Sequence, residues 1–194
     1  MPLGGRGFVT VGAAVACCAL AAACTPEPVP NSTPSTNPTA TTPTESQIER
    51  QMRLDYEAAE RAYRANMAEQ DRLYKTGGTT KPTAALEATA TGSYLRITLE
   101  SLRDVRRLGW HSIGDAKIVG IVRDRGWKRG RVGLTSCENN EIVKFVDKSG
   151  RDVTPKGPAL YVQALTVIRE RGRWKVSTAM TRKVRTFEGQ PCVA

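Results

Sequence analysis

The chain has 194 residues, a formal net charge of +10 and a single histidine. About 150 residues remain once an apolar start and a Pro/Thr-rich segment are set aside, which bounds the chain to one ordinary domain. A metal centre needs several converging His, Cys, Asp and Glu side chains, and the pattern offers none.

Met1 to Arg6 carries one charge, and Phe8 to Ala23 is apolar apart from Thr10. That run is shorter than the about 20 residues a membrane helix takes. A short apolar core behind a positive start reads as a secretory signal. Leu20-Ala21-Ala22-Ala23-Cys24 resembles the bacterial lipobox, with its leucine one place further upstream than in the commonest form. The resemblance implies that Cys24 is alkylated with diacylglycerol and becomes the first residue of the mature chain. Two acyl chains give stable anchoring. The expected location is the extracytoplasmic face of the cell membrane. An ordinary cleaved signal with an incidental Cys24 is the alternative. On the lipoprotein reading Cys17 and Cys18 leave with residues 1–23.

Thr25 to Glu45 is almost wholly Pro, Thr, Ser, Asn and Glu. Such a composition cannot bury a core and predicts a disordered tether over 24–45, with a reach of at most roughly 65 Å.

Ser46 to Tyr74 predicts a long helix. Ile48, Met52, Tyr56, Ala59, Tyr63 and Met67 recur at steps of three and four, and the charges on the other face alternate in sign. Gly77-Gly78 ends it. Thr83 to Thr89 predicts a short helix after Pro82. Ser93 can cap a third helix running to Leu108, with Leu95, Leu99 and Leu102 on its stripe and Gly109 closing it.

Beyond Gly109 the period changes. Lys117 to Arg123, Arg131 to Cys137 and Ile142 to Asp147 are candidate strands, the last closed by a turn at Asp147-Lys148-Ser149-Gly150. Leu160 to Glu170 and Arg173 to Thr186 form two alternating runs joined at Arg171-Gly172, a two-residue hairpin. Simple pairing sets Trp174, Val176, Thr178 and Met180 toward the helices. It puts Arg173, Lys175 and Lys183 on the outer face beside Val162, Ala164 and Ile168. With Arg185 these give a basic surface, and the apolar row beside it predicts a weak homodimer or a partner face.

Lys/Arg and Asp/Glu cancel between Cys24 and Leu108, 11 of each, whereas the second half has 17 against 8. Basic excess attracts anionic surfaces. Outside a bacterial membrane those are anionic lipids and cell-wall polymers, so nucleic acid is not an expected partner. After processing, Cys137 and Cys192 are the thiols left besides Cys24. An exported chain with two cysteines usually pairs them. The alternative is two free thiols.

Three helices followed by long antiparallel strands is an α+β order, with helices on one face of a curved sheet. Leu134-Thr135-Ser136-Cys137-Glu138, Val143 to Asp147, Ser149-Gly150-Arg151-Asp152-Val153, the turn Gly172-Arg173-Trp174-Lys175-Val176 and a late Cys192 resemble a pattern in actinobacterial lipoproteins with an NTF2-like (SnoaL-like) fold. The resemblance spans residues 46–194. The chain departs from it at Glu138-Asn139-Asn140, where an aspartate-containing segment is more usual. Many such proteins have no known activity, so the resemblance implies a shape and a location more than a reaction.

NTF2-like enzymes place a carboxylate and a tyrosine inside the cone, for which Tyr94, Tyr161 and Asp147 are candidates. Trp174 and Met180 complete the expected cavity. A Ser/His/Asp triad would rest on His111 alone, in the loop-like Trp110-His111-Ser112. Gly126 to Gly133 carries Lys128, Arg129 and Arg131 but lacks the order of a phosphate loop. No catalytic residue, metal or cofactor is assigned. The expected function is a non-enzymatic binding or scaffold module at the cell envelope, its partner an envelope protein or an anionic cell-wall polymer. The alternatives are a lipophilic-ligand carrier or enzyme using the cone cavity, and a phage- or prophage-encoded lipoprotein that blocks superinfection.

Overall fold

The computed structural model describes residues 45–192. The signal peptide, Cys24 and residues 24–44 of the tether lie outside the described residues. Helix α1 (Gln47–Lys75) begins at a capping box: Ser46 Oγ accepts from the Glu49 N–H, and Glu49 accepts from the Ser46 N–H. It ends in a Schellman motif, with the Gly78 N–H on the Leu73 carbonyl and the Gly77 N–H on the Tyr74 carbonyl. Both glycines have positive φ. A Cβ on Gly78 would strike the Leu102 carbonyl, so this glycine lets the end of α1 close on the third helix.

Helix α2 (Ala84–Thr89) is capped by Thr83. Helix α3 (Gly92–Leu108) starts one residue before the expected Ser93. Its N-cap, Thr91, makes no side-chain cap bond. Instead the Thr91 N–H donates to the Val176 carbonyl and Ser93 Oγ to the Ser177 carbonyl, which ties this helix start to the last strand.

The strands are β1 (His111–Ile113), β2 (Lys117–Arg123), β3 (Arg131–Asn139), β4 (Lys144–Val146), β5 (Leu160–Glu170) and β6 (Arg173–Val184). An antiparallel sheet in the order β2-β3-β5-β6 carries the helices on one face, and β1 pairs with β4 in a separate two-stranded ribbon. This is an α+β arrangement, N-terminal helices followed by an antiparallel sheet. Tyr56, Ala59 and Tyr63 of α1 meet Tyr94 of α3 and Val132, Leu134, Leu165, Val167 and Val176 of the sheet in the main core.

Three expectations are corrected. The expected helix stripe begins too early: Ile48 is 69% exposed, and the packed part starts at Tyr56. His111-Ser112 is strand rather than loop. The register of the last hairpin changes partway. Val167 pairs with Val176, but Thr166 pairs with Thr178, so Ser177 is a bulged residue. A bulge turns every following side chain to the other face. Met180 therefore points outward and is 79% exposed, whereas Ala179 and Thr181 face the helices.

The bulge also divides the expected basic surface. Lys175 pairs with Ile168 on the outer face and bonds to Glu170 at 3.2 Å, while Lys183 pairs with Tyr161 on the inner face. Arg173 lies at the hairpin, and exposed Arg185 follows the far end of β6, some ~35 Å along the strand. The four cations do not form one patch.

The expected outer apolar row is partly covered. Cys137 and Cys192 form a disulfide, Cα–Cα 5.8 Å, which folds the C-terminal tail back over the sheet. Val162 and Val184 are buried there with Leu160 and Phe187 packed against them.

Candidate functional site

A cavity of about 610 Å³ opens between the second half of α1, the first half of α3 and the inner face of β3, β5 and β6. Its size falls within the usual range for small-molecule sites. The strands supply its floor because their inward positions alternate: Val132, Leu134, Ser136 and Glu138 on β3, then Tyr161 and Gln163 on β5. The first two of these close the core. Glu138, Tyr161 and Gln163 leave the apolar layer and make the floor polar.

Glu138 is the central group, only 2% exposed. Its Oε1 accepts from the Tyr63 hydroxyl and, at 2.7 Å, from Gln163 Nε2. Burial pushes its carboxyl above the ordinary value, and those two hydrogen bonds oppose the rise. Burial and the adjacent Glu138 carboxylate together hold the Tyr63 phenol protonated far above its usual range. Tyr63 is thus a committed donor, and Glu138 is its acceptor.

A second chain of polar groups runs from α1 to α2 and α3. Gln70 donates to Asn66 and, at 3.0 Å, to the Tyr94 hydroxyl; Asn66 donates to Thr89 at 3.1 Å. Burial raises the Tyr94 phenol as well. Asp71, also in the lining, is raised by burial first and then by Asp115, against an Ala116 N–H and Lys75. At the mouth the Tyr74 ring meets Phe145 edge-on, centroids 5.7 Å apart. Asn140 also lines the cavity, and its Oδ1 is buried without a hydrogen-bond partner.

Of the sequence-predicted cavity residues, Tyr94 and Tyr161 line this space. Trp174 packs against the main core instead, and Met180 lies on the outside. Asp147 is also elsewhere: it organises its own turn. It accepts from the backbone and hydroxyl of Ser149 and from Arg151, which hold its carboxyl down at about 2. His111 lies on the β1 ribbon, in a shallow depression with Lys75, Arg106 and Lys148. The ends of α1 and α3 converge there, and those cations complement the carbonyl ends of the two helices.

The residue that the sequence reading left unassigned is Glu138. Ending the strand at Cys137 hid it. The alternation Val132, Leu134, Ser136, Glu138 continues through that point, and following it further would have turned Glu138 inward. Chemically, the arrangement offers one nearly dehydrated carboxylate at the base of a cavity that is apolar at its mouth. Among the described residues no three His, Cys, Asp or Glu side chains group as metal ligands would.

No protein-family model matches the chain, and no curated protein matches it either. Three solved structures are similar at low identity. The intermembrane-space region of the chloroplast protein ARC6 is 16% identical with a TM-score of 0.48, over 66% of this chain and 96% of that one. A protein from Novosphingobium aromaticivorans, provisionally named an aromatic ring hydroxylase, is 14% identical with a TM-score of 0.48, over 70% and 95%. Aln2 from a Streptomyces species is 11% identical with a TM-score of 0.40, over 66% and 89%. Likenesses this distant say nothing of what the cavity does.

Proposed function

We propose that the chain is an exported lipoprotein of the actinobacterial NTF2-like kind. Its domain, residues 46–194, acts as a non-enzymatic binding module at the cell envelope, and the cone cavity is its binding site. The anchor part rests on the residues around Cys24 and on the Pro/Thr tether. No helix among the described residues is long and apolar enough to cross a membrane. The observation that carries the binding part is the cavity itself, about 610 Å³ with a buried carboxylate at its floor and apolar side chains at its mouth. A buried polar group without enough partners is costly, and such groups in a cavity mark a place where a ligand completes the bonding.

An enzyme using the same cavity is the second reading. A carboxylate raised by burial is the kind of group that transfers protons, which is what favours this reading. Its neighbour Tyr63 is already engaged in holding it.

The test has two arms. The full chain is isolated from membranes, denatured, and the released small molecules are identified by mass spectrometry. A ligand present in the native chain and missing from Ala179→Phe, which fills the cavity, supports the binding reading; recovery from both chains overturns it. A released molecule chemically altered relative to the pool supplied favours the enzyme. In the second arm, Cys24→Ala should lose detergent-phase partitioning, and retention of partitioning by a processed Cys24→Ala chain would refute the anchor.

A further inference from the structure

The sign of the charge inside the cavity is opposite to that of the chain. The sequence carries +10, yet no Lys, Arg or His lines the cavity. The charged side chains that do are Glu138 and Asp71, both carboxylates. Of the cations nearby, Lys75 pairs with Asp115 and Lys183 sits over the Tyr161 ring at 5.7 Å; the bonds to Glu138 come from Tyr63 and Gln163.

Two acceptors have unfilled bonding capacity. Both hydrogen bonds to Glu138 arrive at Oε1, which leaves Oε2 as an acceptor. Asn140 Oδ1 is a buried acceptor with no partner. Tyr63 and Gln163 donate to Glu138, and Gln70 donates to Asn66 and Tyr94. Those acceptors can take hydrogen bonds from a ligand that donates. A nearly dehydrated carboxylate without a cation asks for a positive charge.

We infer that the cavity selects an organic cation, a primary or secondary amine whose ammonium meets Glu138, Asp71 and Asn140 and whose apolar body lies between Ile97 and Phe145. The inference rests on the cavity being the binding site. A carboxylate or phosphate ligand is repelled by the two carboxylates. An alcohol of the same shape gains a hydrogen bond but not the charge pairing, and charge-assisted bonds are about twice as strong as neutral ones.

The test compares hexylamine, hexanol and hexanoate by calorimetric titration into the full chain carrying Cys24→Ala. The expected result is hexylamine binding at least about tenfold more tightly than hexanol, the difference one charge-assisted hydrogen bond makes, with no measurable binding of hexanoate. Glu138→Gln should remove the preference for the amine. Should Glu138→Gln fail to fold, Asp71→Asn and Asn140→Ala each should weaken hexylamine several-fold while leaving hexanol unchanged. Hexanol or hexanoate binding as tightly as hexylamine would overturn the charge selection and leave the cavity reading standing. Amine affinity unmoved by all the substitutions that fold would also overturn it. Binding of none of the three probes would overturn both.

Discussion

The Tyr63 hydroxyl donates to Glu138 Oε1, joining the middle of the first helix to the floor of the sheet across 75 positions of sequence. Both residues are almost wholly buried. Tyr63→Phe leaves the ring in the core but removes one of the two donors that hold the carboxyl. It should cost about 1–3 kcal/mol, the usual penalty for a buried acceptor that loses its partner. Denaturant unfolding of Tyr63→Phe, Glu138→Gln and the double variant measures this. The two effects should be strongly non-additive, because the residues share one bond. Simple additivity would mean that the bond contributes nothing.

The pH dependence of stability follows from the same carboxyl. Burial raises the Glu138 carboxyl in the folded chain above its ordinary 4.5. The folded state then holds the proton more tightly than the unfolded state. The stabilisation is complete below 4.5 and is lost as pH rises through the folded value. Asp71, raised by burial and by Asp115, adds a slope of the same sign. Thermal melts of the unmodified chain should therefore fall as pH rises from 4.5, and Glu138→Gln should flatten most of that decline. Asp147, held at about 2 by its turn, acts in the opposite sense, and its contribution is lost only as pH falls from 3.8 through that value.

Much of this architecture is legible in the sequence. Ser46, Gly77 and Gly109 mark helix ends because caps are local chemistry, and they stand where the expected boundaries put them. Leu160 to Glu170 and its turn are legible because alternation is a property of neighbours. What escapes is set by distant partners. The Ser177 bulge is held by Thr91 and Ser93, more than 80 positions away, so no local pattern announces it. Three-residue β1 is too short to show a period and exists only because β4 pairs with it. Glu138 reads as the polar end of a strand, and only the opposing Tyr63 and Gln163 make it the floor of a cavity.

Reduction of the Cys137–Cys192 disulfide should cost about 4 kcal/mol by the chain-entropy estimate for its separation of 55 residues. It should also free the tail and uncover Val162 and Val184. Hydrogen exchange with and without reductant reads both effects. New exchange should concentrate in residues 160–164 and 182–192. Unchanged protection there would mean that the tail stays in place by packing alone.

Gly120 offers a test of how closely that tail is packed. A Cβ built on it meets the Cys192 carbonyl, whereas one on Gly126 meets nothing within 4 Å. Gly120→Ala should destabilise by about 1–3 kcal/mol, the usual cost of overpacking. Gly126→Ala should be neutral or slightly stabilising, by less than about 1 kcal/mol. Equal melting temperatures for the two variants would contradict the close approach of tail and strand.

Helix α1 is a lever as well as a wall. Chain and cavity meet it at opposite ends: the backbone enters at Ser46, and the lining residues Met67, Gln70, Asp71 and Tyr74 occupy its last turns. At 1.5 Å per residue the entry point stands about 35 Å from Gln70. Ser46, where the described chain enters the helix, is therefore spaced from the opening by the length of a rigid rod. A label at the C-terminus instead joins beside Cys192, against the outer surface of the sheet at Gly120. Capture through the N-terminal end leaves the mouth free to exchange solutes, and the two ends of the chain are not equivalent as handles for measuring what enters.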